Sequence, residues 1–523
     1  MSGSSSQSGL ERGTGWWGAF VIGLSGVILV TGIAPFAVQS LGAASLPLFV
    51  GVTALGVFLC FCLAELAAML PHRAGGLPSY AAVTYQPLGR RVARHVGGVS
   101  AWAYWLGWFP VAPINMILCS SYLVALLGIP SGPMFQPFGS IGAPISLASL
   151  SISAGGILVM LVPSWLGIRM GARAATVLGV LAMTPLTLMV FLPLARPSSV
   201  HWSNLKSLSL PAGTGNHTAT YAAWIFIMIW SVFAMEAAAC YIGECRDPHR
   251  DAKLALGAEG GFGFFIYAAL PLMMVAVLGG ASSADPLTVF LQYTERILGS
   301  SAWARWAVGL MLVVALLLSV QNAIMGVGRS LYQIAEDGVI PRWFGKLNSH
   351  GSPGNAMLFN VGCSLAVLLF GSPLPIYVFS NMGYLLAIVL ALGGYFLHRH
   401  LRPEVNRPFR LPAAARWVAL VVCLALAVIL VYGGWQSPTL VVGAKDGKLF
   451  FIGLAIIALY LPLNVWRRWR DRGLVGALRP AAEELSALAA ANLAVVAPAD
   501  TAGTVPAPPV AGTVAEAGDG VAL

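Results

Sequence analysis

Residues 16–41 form an apolar run long enough to cross a bilayer, since about 20 helical residues cover the hydrocarbon core. Its middle, Gly23–Phe36 (GLSGVILVTGIAPF), holds Gly23, Gly26, Gly32 and Pro35, with Ser25 and Thr31 between them. Glycine and proline weaken a helix there, and lipid offers no partner for the backbone groups that are released. Such a break is tolerated at mid-membrane only where it lines a cavity or is buried in protein. Its free N–H groups can hold a carboxylate, and its free C=O groups an amine or a cation. The alternative is that these glycines serve only the close packing of helices.

Comparable runs recur along the chain. Twelve apolar segments lie near 16–41, 44–70, 96–127, 145–165, 174–194, 220–243, 254–278, 303–334, 354–371, 375–397, 416–434 and 449–466. The third and eighth are long enough to tilt, and the fourth and ninth are short or interrupted by glycine. Only 9% of residues are charged, against about 25% in soluble proteins, and the runs are too long for barrel strands. The fold class expected is therefore all-α and polytopic, with twelve transmembrane helices. Short connecting loops argue for one membrane domain over 16–466, between a polar segment at 1–15 and a basic stretch and tail at 467–523. That tail has no aromatic residue after Arg479 and reads as disordered. The first residues carry no signal peptide.

With an internal N-terminus, 23 of the 29 Lys and Arg residues fall on the cytoplasmic side. They include Arg90, Arg91 and Arg94 before the third segment and Arg399, Arg402, Arg407 and Arg410 before the eleventh. The opposite frame would invert the positive-inside bias. Both termini are thus expected in the cytoplasm of a multi-pass protein of a cell membrane, the bacterial inner membrane. The net charge of +10 sits in loops and calls for no nucleic acid. The seven cysteines fall mostly inside apolar segments and read as packing residues. The sequence contains no HExxH, GxSxG, P-loop or Cys/His cluster, so no enzyme, ATP-driven pump, cofactor or metal site is expected. Neither a polar filter ring nor a repeated pore loop speaks for a channel.

Acidic residues inside spans are functional candidates by default. Glu236 stands out, deep in the sixth segment within Trp230–Ala239 (WSVFAMEAAA). It can stitch broken backbone together, carry a coupled proton, or meet a substrate amine. Glu65 and Glu259 read as interfacial or structural groups near the inner ends of the second and seventh segments. Asn115, Gln321, Asn322 and Asn381 read as interhelical hydrogen-bonding groups, and His398 and His400 as surface charge.

Several separated motifs carry a resemblance. Gly328–Phe344 reads GRSLYQIAEDGVIPRWF, Leu63–Pro71 reads LAELAAMLP, Glu244–Pro248 reads ECRDP and Arg407–Pro412 reads RPFRLP. Together they resemble the amino acid–polyamine–organocation (APC) superfamily of transporters over most of residues 16–466. The resemblance implies a leucine-transporter-like 5+5 inverted repeat, about 16–194 and 220–397, with two extra helices over 416–466. Helices 1 and 6 would be broken, the second break falling at 232–235. By position, Ser25 and Gly26 match the family's carboxylate-binding residues, and Thr31 and Gly32 the small pair that closes the break. Trp230 matches a gating aromatic, while Ile22 and Phe233 would offer carbonyls to a substrate amine. Glu236 matches an acidic residue of some members and is the coupling candidate. Ile28, Ala234 and Met235 would line the same pocket.

The sequence departs from that pattern at Val30 and Ala234, where glycine is usual, and at Ala182, where some proton-coupled members carry lysine. The coupling ion is left between H+ and Na+, with symport or antiport both open. The implied activity is secondary active transport of amino acids by alternating access. The apolar residues around the break point to a neutral amino acid. If Glu236 faces the pocket instead of the backbone, a cationic amino acid or polyamine transporter or exchanger becomes the better answer.

Overall fold

The computed structural model describes residues 14–476 apart from 72, 74, 212–213, 280–284 and 444–446. α1 (Trp16–Gly23) leads through a turn at 24–26 and a 3-10 turn at Val27–Leu29 into α2 (Val30–Leu41). Gly42, at φ +58°, ends α2 in a conformation that suits glycine, and α3 (Ser45–Met69) follows. The sequence reading did not foresee the short α4 (Leu77–Thr84). α5 (Arg90–Trp108) and α6 (Val111–Leu127) form one long element offset at Pro110, starting six residues before the expected third span. A small antiparallel pair, β1 (Met134–Phe135) and β2 (Ile145–Ser146), precedes α7 (Leu147–Trp165) and α8 (Ile168–Phe191).

α9 (His217–Val232) begins at Asn216, whose side chain accepts from the Ala219 N–H at 3.1 Å. It passes directly into a 3-10 helix over Phe233–Glu244. α10 (Pro248–Leu278), α11 (Val289–Leu298), α12 (Ala302–Glu336), α13 (Gly354–Val367) and α14 (Pro373–Leu401) follow. α15 (Ala415–Val428) continues through π-helical turns and α16 (Gly434–Ser437) to Val442, before α17 (Lys448–Ala458) and α18 (Tyr460–Gly476).

Among the described residues, nine helical stretches are long and apolar enough to cross a membrane. Gly179–Ala195 and Gly354–Phe370 are shorter apolar helices. Large apolar side chains such as Val159, Val421, Leu424 and Leu461 are exposed. Such surface suits lipid rather than water. The protein is a multi-pass helical membrane protein.

The two breaks expected at helices 1 and 6 take a different form from unwound chain. Both spans depart from α-geometry at the expected residues but tighten into 3-10 turns. In the first, Ser25 N–H donates to Ile22 O at 3.3 Å, Gly26 N–H to Gly23 O at 2.9 Å and Val27 N–H to Leu24 O at 3.0 Å. In the sixth, the 3-10 helix starts at Phe233, within the expected 232–235. Bonds from residue i to i+3 keep the backbone paired where no water reaches it.

The helices associate in two groups. The two kinked spans, α3 and α10 pack on one another, while α5, α6, α7, α12, α13 and α14 pack among themselves. Ion pairs concentrate at one end of the molecule. There Arg73 meets Asp337 at 3.3 Å, and the buried pair Arg329–Glu244 lies at 3.4 Å. Thr14 bridges to Cys245 at the same end, next to the last turn of the sixth span.

Candidate functional site

The two kinks touch. A Cβ on Gly26 would stand 1.8 Å from Ala234 O, so only glycine permits this approach. Tyr267 Oη, from α10, donates to Ser231 O at 2.7 Å and lies 3.3 Å from Gly26 O, spanning both kinks. Ser25 is tied to α12 twice. Its Oγ accepts from Asn322 Nδ2, and its carbonyl accepts from Ser319 Oγ at 2.5 Å. Asn322 Oδ1 in turn accepts from Tyr241 Oη of the 3-10 segment. Sequence reasoning took Asn322 as ordinary interhelical glue, and the structure puts it between the kinks.

The other expected residues are all buried, but they do not share one pocket. Thr31 Oγ1 donates to Ile28 O at 2.8 Å, and Gly32 faces the Tyr377 hydroxyl and Leu118. Trp230 Nε1 donates to Gly107 O at 2.9 Å, with its ring 4.8 Å from Tyr377. Phe233 and Met235 turn toward Gly56 of α3, away from α5 and α14. Ile22 O is occupied by the Ser25 N–H. Ala182's side chain lies outside the described residues.

Glu236 points from the kink toward the second helix group. Its Oε1 accepts from Tyr104 Oη at 2.9 Å and from Tyr384 Oη at 3.1 Å, while Oε2 has no partner. The rings of Tyr104, Trp108 and Tyr384 form a triangle with centroids 5.9, 6.0 and 6.1 Å apart. Beside it is a cavity of about 10 Å³ lined by Tyr104, Trp108, Cys240, Tyr241 and Asn322, on the order of one water. A carboxylate among aromatic faces is chemistry suited to an ammonium group. Sequence reasoning missed all three rings; the aromatic-rich stretch Trp102–Trp108 was an unused signal for two of them, and Tyr384 had none.

Two other acids are placed differently from the sequence reading. Glu259 is fully buried, about 17 Å along α10 from its start. Its Oε2 accepts from the Ala238 N–H at 2.9 Å, and Oε1 has no partner. It is thus the group that binds kinked backbone, a role the sequence left open for Glu236. Glu65 is structural as expected but deeply buried. It pairs with Arg399 and Arg407, each at 3.3 Å, and accepts from Tyr395 Oη and the Leu411 N–H. Burial lowers the Arg407 guanidinium from its ordinary pKa, and Glu65 opposes that shift. His398 belongs to this cluster through Arg407, 3.2 Å away, and is buried rather than surface charge; His400 is exposed.

A larger cavity, of about 320 Å³, opens at the ion-paired end between α4, α5 and α12, beneath Arg73, Arg94 and Asp337. It follows the same faces of α5 and α12 that lead inward to Tyr104 and Asn322. No group of three or more His, Cys, Asp or Glu side chains able to hold a metal occurs among the described residues.

Residues 15–460 match a family model described as amino acid permease. The chain is 24% identical to the polyamine transporter PUT1 of Oryza sativa over 435 residues, 80% of this chain and 73% of that protein. It is 25% identical to the cadaverine/lysine antiporter of Escherichia coli over 174 residues, 32% of this chain and 39% of the antiporter. It is 23% identical to the glutamate/gamma-aminobutyrate antiporter of Lactococcus lactis over 217 residues, 35% of this chain and 39% of that protein.

Proposed function

From the premise that this chain belongs to the amino acid permease family, we propose that it is a secondary transporter for substrates bearing a cationic amine. Basic amino acids and diamines are the class. The observation that carries this reading is Glu236, whose unpartnered Oε2 lies beside Tyr104, Trp108 and Tyr384 instead of being spent on the kink. The backbone role that would have occupied Glu236 belongs to Glu259. A buried carboxylate needs a partner, and an ammonium among aromatic faces supplies one. The relatives named for polyamines and for cadaverine and lysine agree with that class. A neutral amino acid is the second reading, favoured by the apolar Val27, Ile28 and Val30 around the first kink.

The architecture proposed has twelve crossings in a 5+5 arrangement. The apolar stretch Trp16–Met69, 54 residues long, divides at Gly42 into two crossings, because a single helix of that length would run about 80 Å. α8 and α13 serve as two more. The kinked spans then open the two repeats, about 16–194 and 220–397, and 416–466 adds two helices. The arginine-rich, ion-paired end is the cytoplasmic face of a cell membrane, with both termini on that side. The proposed substrate residues remain Ile22, Ser25, Gly26, Ile28, Thr31, Gly32, Trp230, Phe233, Ala234 and Met235, with Glu236 at the amine. The 3-10 turns occupy the amides that would receive a carboxylate. In this reading they release them when the kinks separate.

The test is competition against labelled lysine and putrescine in proteoliposomes. Strong inhibition by arginine, lysine and putrescine, with little by alanine, leucine or serine, is the expected result. The reverse order would establish the neutral reading.

A further inference from the structure

We propose that Glu259, not Glu236, binds the proton that this transporter couples to its substrate, and that protonation of Glu259 holds the two kinks against each other. The proposal rests on the transport reading above and gives the two buried acids separate tasks, substrate amine for one and coupling ion for the other.

The argument begins with position. Glu259 has no solvent exposure, and no ion pair holds it among the described residues. Its carboxyl group is wedged between both kinks. Oε2 takes the Ala238 N–H of the sixth span at 2.9 Å. On the other side, both oxygens lie within 2.8 Å of where a Cβ on Gly23 would stand, at the last residue of α1 before the turn. Gly23 therefore has to be glycine for the acid to fit.

Among the described residues, the surroundings offer no positive charge. α3 presents Cys60, whose Sγ lies 3.4 Å from Met235 O. The 3-10 segment presents Glu236, Cys240 and Tyr241. α1 and α2 have no titratable side chain. α8 has only Arg169 and Arg173, whose side chains lie outside the described residues. Backbone amides alone, those of Ala238 and Ala237, do not compensate a full negative charge away from water. A proton on the unpartnered Oε1 does, and the resulting O–H gains a hydrogen to donate to kink backbone.

Glu259 thus has two states with different demands. As a neutral acid it fits the closed kinks. As an anion it requires water, which enters only when the kinked spans move apart. Binding forms one O–H bond with a proton from one aqueous side, and release returns that proton to water on the other. No other bond changes. The substrate's ammonium neutralises Glu236, the proton neutralises Glu259, and the closed arrangement then contains no uncompensated acid at either place.

The test uses purified full-length protein, as wild type and as Glu259→Gln, with labelled lysine and putrescine as probes. The amide keeps an acceptor for Ala238 but cannot exchange the proton. One coupled proton under a gradient of one pH unit supports about tenfold accumulation. Wild type should reach that level under a gradient of one sign. Glu259→Gln should show none, while keeping counterflow of the same probes within about threefold and losing its pH dependence. A variant that still accumulates under the gradient as wild type does would overturn the proposal. So would loss of counterflow together with accumulation.

A second measurement needs neither the variant nor a transported probe. A hydrophobic carbodiimide reacts with protonated carboxyl groups in apolar surroundings, and peptide mass spectrometry locates the adduct. Wild-type Glu259 should be modified at mildly acid pH and progressively less at alkaline pH. Absence of modification, or modification indifferent to pH, would overturn the proposal even if Glu259→Gln cannot be recovered folded. If lysine and putrescine are not moved at all, the substrate reading fails, while the carbodiimide still reports on Glu259.

Discussion

At Glu236 two phenols hold one carboxylate oxygen, while the other has only the Trp108 indole N–H nearby, with no fully formed hydrogen bond. A hydrogen bond from an ammonium to that oxygen is worth about 1.5–3 kcal/mol. Glu236→Gln should therefore weaken competition by lysine or putrescine by about 10–100-fold and competition by alanine much less. Equal losses for all three would return Glu236 to a structural role. Tyr104→Phe and Tyr384→Phe leave the charge in place and should cost only a few-fold each. Gly26 offers a purely steric counterpart. Gly26→Ala drives a methyl group onto Ala234 O and should destabilise by about 1–3 kcal/mol or more, read as a lower Tm in detergent. Gly51→Ala, at a glycine with open space around it, is the control and should leave Tm nearly unchanged. At this scale the sequence made Glu236 visible because a lone acid in an apolar run is costly. Tyr104, Trp108 and Tyr384 were invisible as a set, since aromatic residues in spans are ordinary core and only packing brings α5 and α14 together. Glu259 looked peripheral because its distance from the helix start is known only once α10 is seen to begin at Pro248.

Hydropathy placed the long helices because a bilayer demands them. It passed over α4 and α11, short elements that lie between the spans. Glycine content marked where the first helix leaves α-geometry, and the family resemblance placed the departure in the sixth, where Ala234 stands instead of glycine. Neither could say that the two tighten instead of unwinding, because that depends on whether water or a ligand is present to take the released backbone groups. Beside α5, α10 and α14, α12 ties both tightened segments to the rest of the molecule, through Asn322 and Ser319. Asn322→Ala leaves both Ser25 Oγ and Tyr241 Oη without this partner and should destabilise by about 1–3 kcal/mol. Because the two residues share one interaction, Ser25→Ala combined with Asn322→Ala should cost less than the sum of the single changes. Thermal unfolding of the three variants checks this. Strict additivity would mean that α12 and the first kink are energetically independent.

The whole molecule is polarised, with arginine and most ion pairs at one end, and this asymmetry is the basis of the proposed orientation. Ser207 lies between α8 and α9, Ser349 between α12 and α13, and both are exposed. Three stretches able to cross a membrane separate them: His217–Glu244, Pro248–Leu278 and Ala302–Glu336. An odd number of crossings puts the two serines on opposite faces, whatever the total count along the chain. Ser349 follows the arginine-bearing loop after α12, so the positive-inside bias assigns it to the cytoplasm and Ser207 to the outside. A membrane-impermeant thiol reagent applied to intact cells should label Ser207→Cys and leave Ser349→Cys unlabelled until the cells are opened. The wild-type chain serves as the blank for its own seven cysteines. Labelling of both positions from outside would mean that one of the three stretches does not cross. That would separate the kinked sixth span from its proposed place as the first helix of a second repeat. Labelling of Ser349→Cys alone would keep the crossings but invert the protein, placing the cavity beneath Arg73 and Asp337 on the outer face.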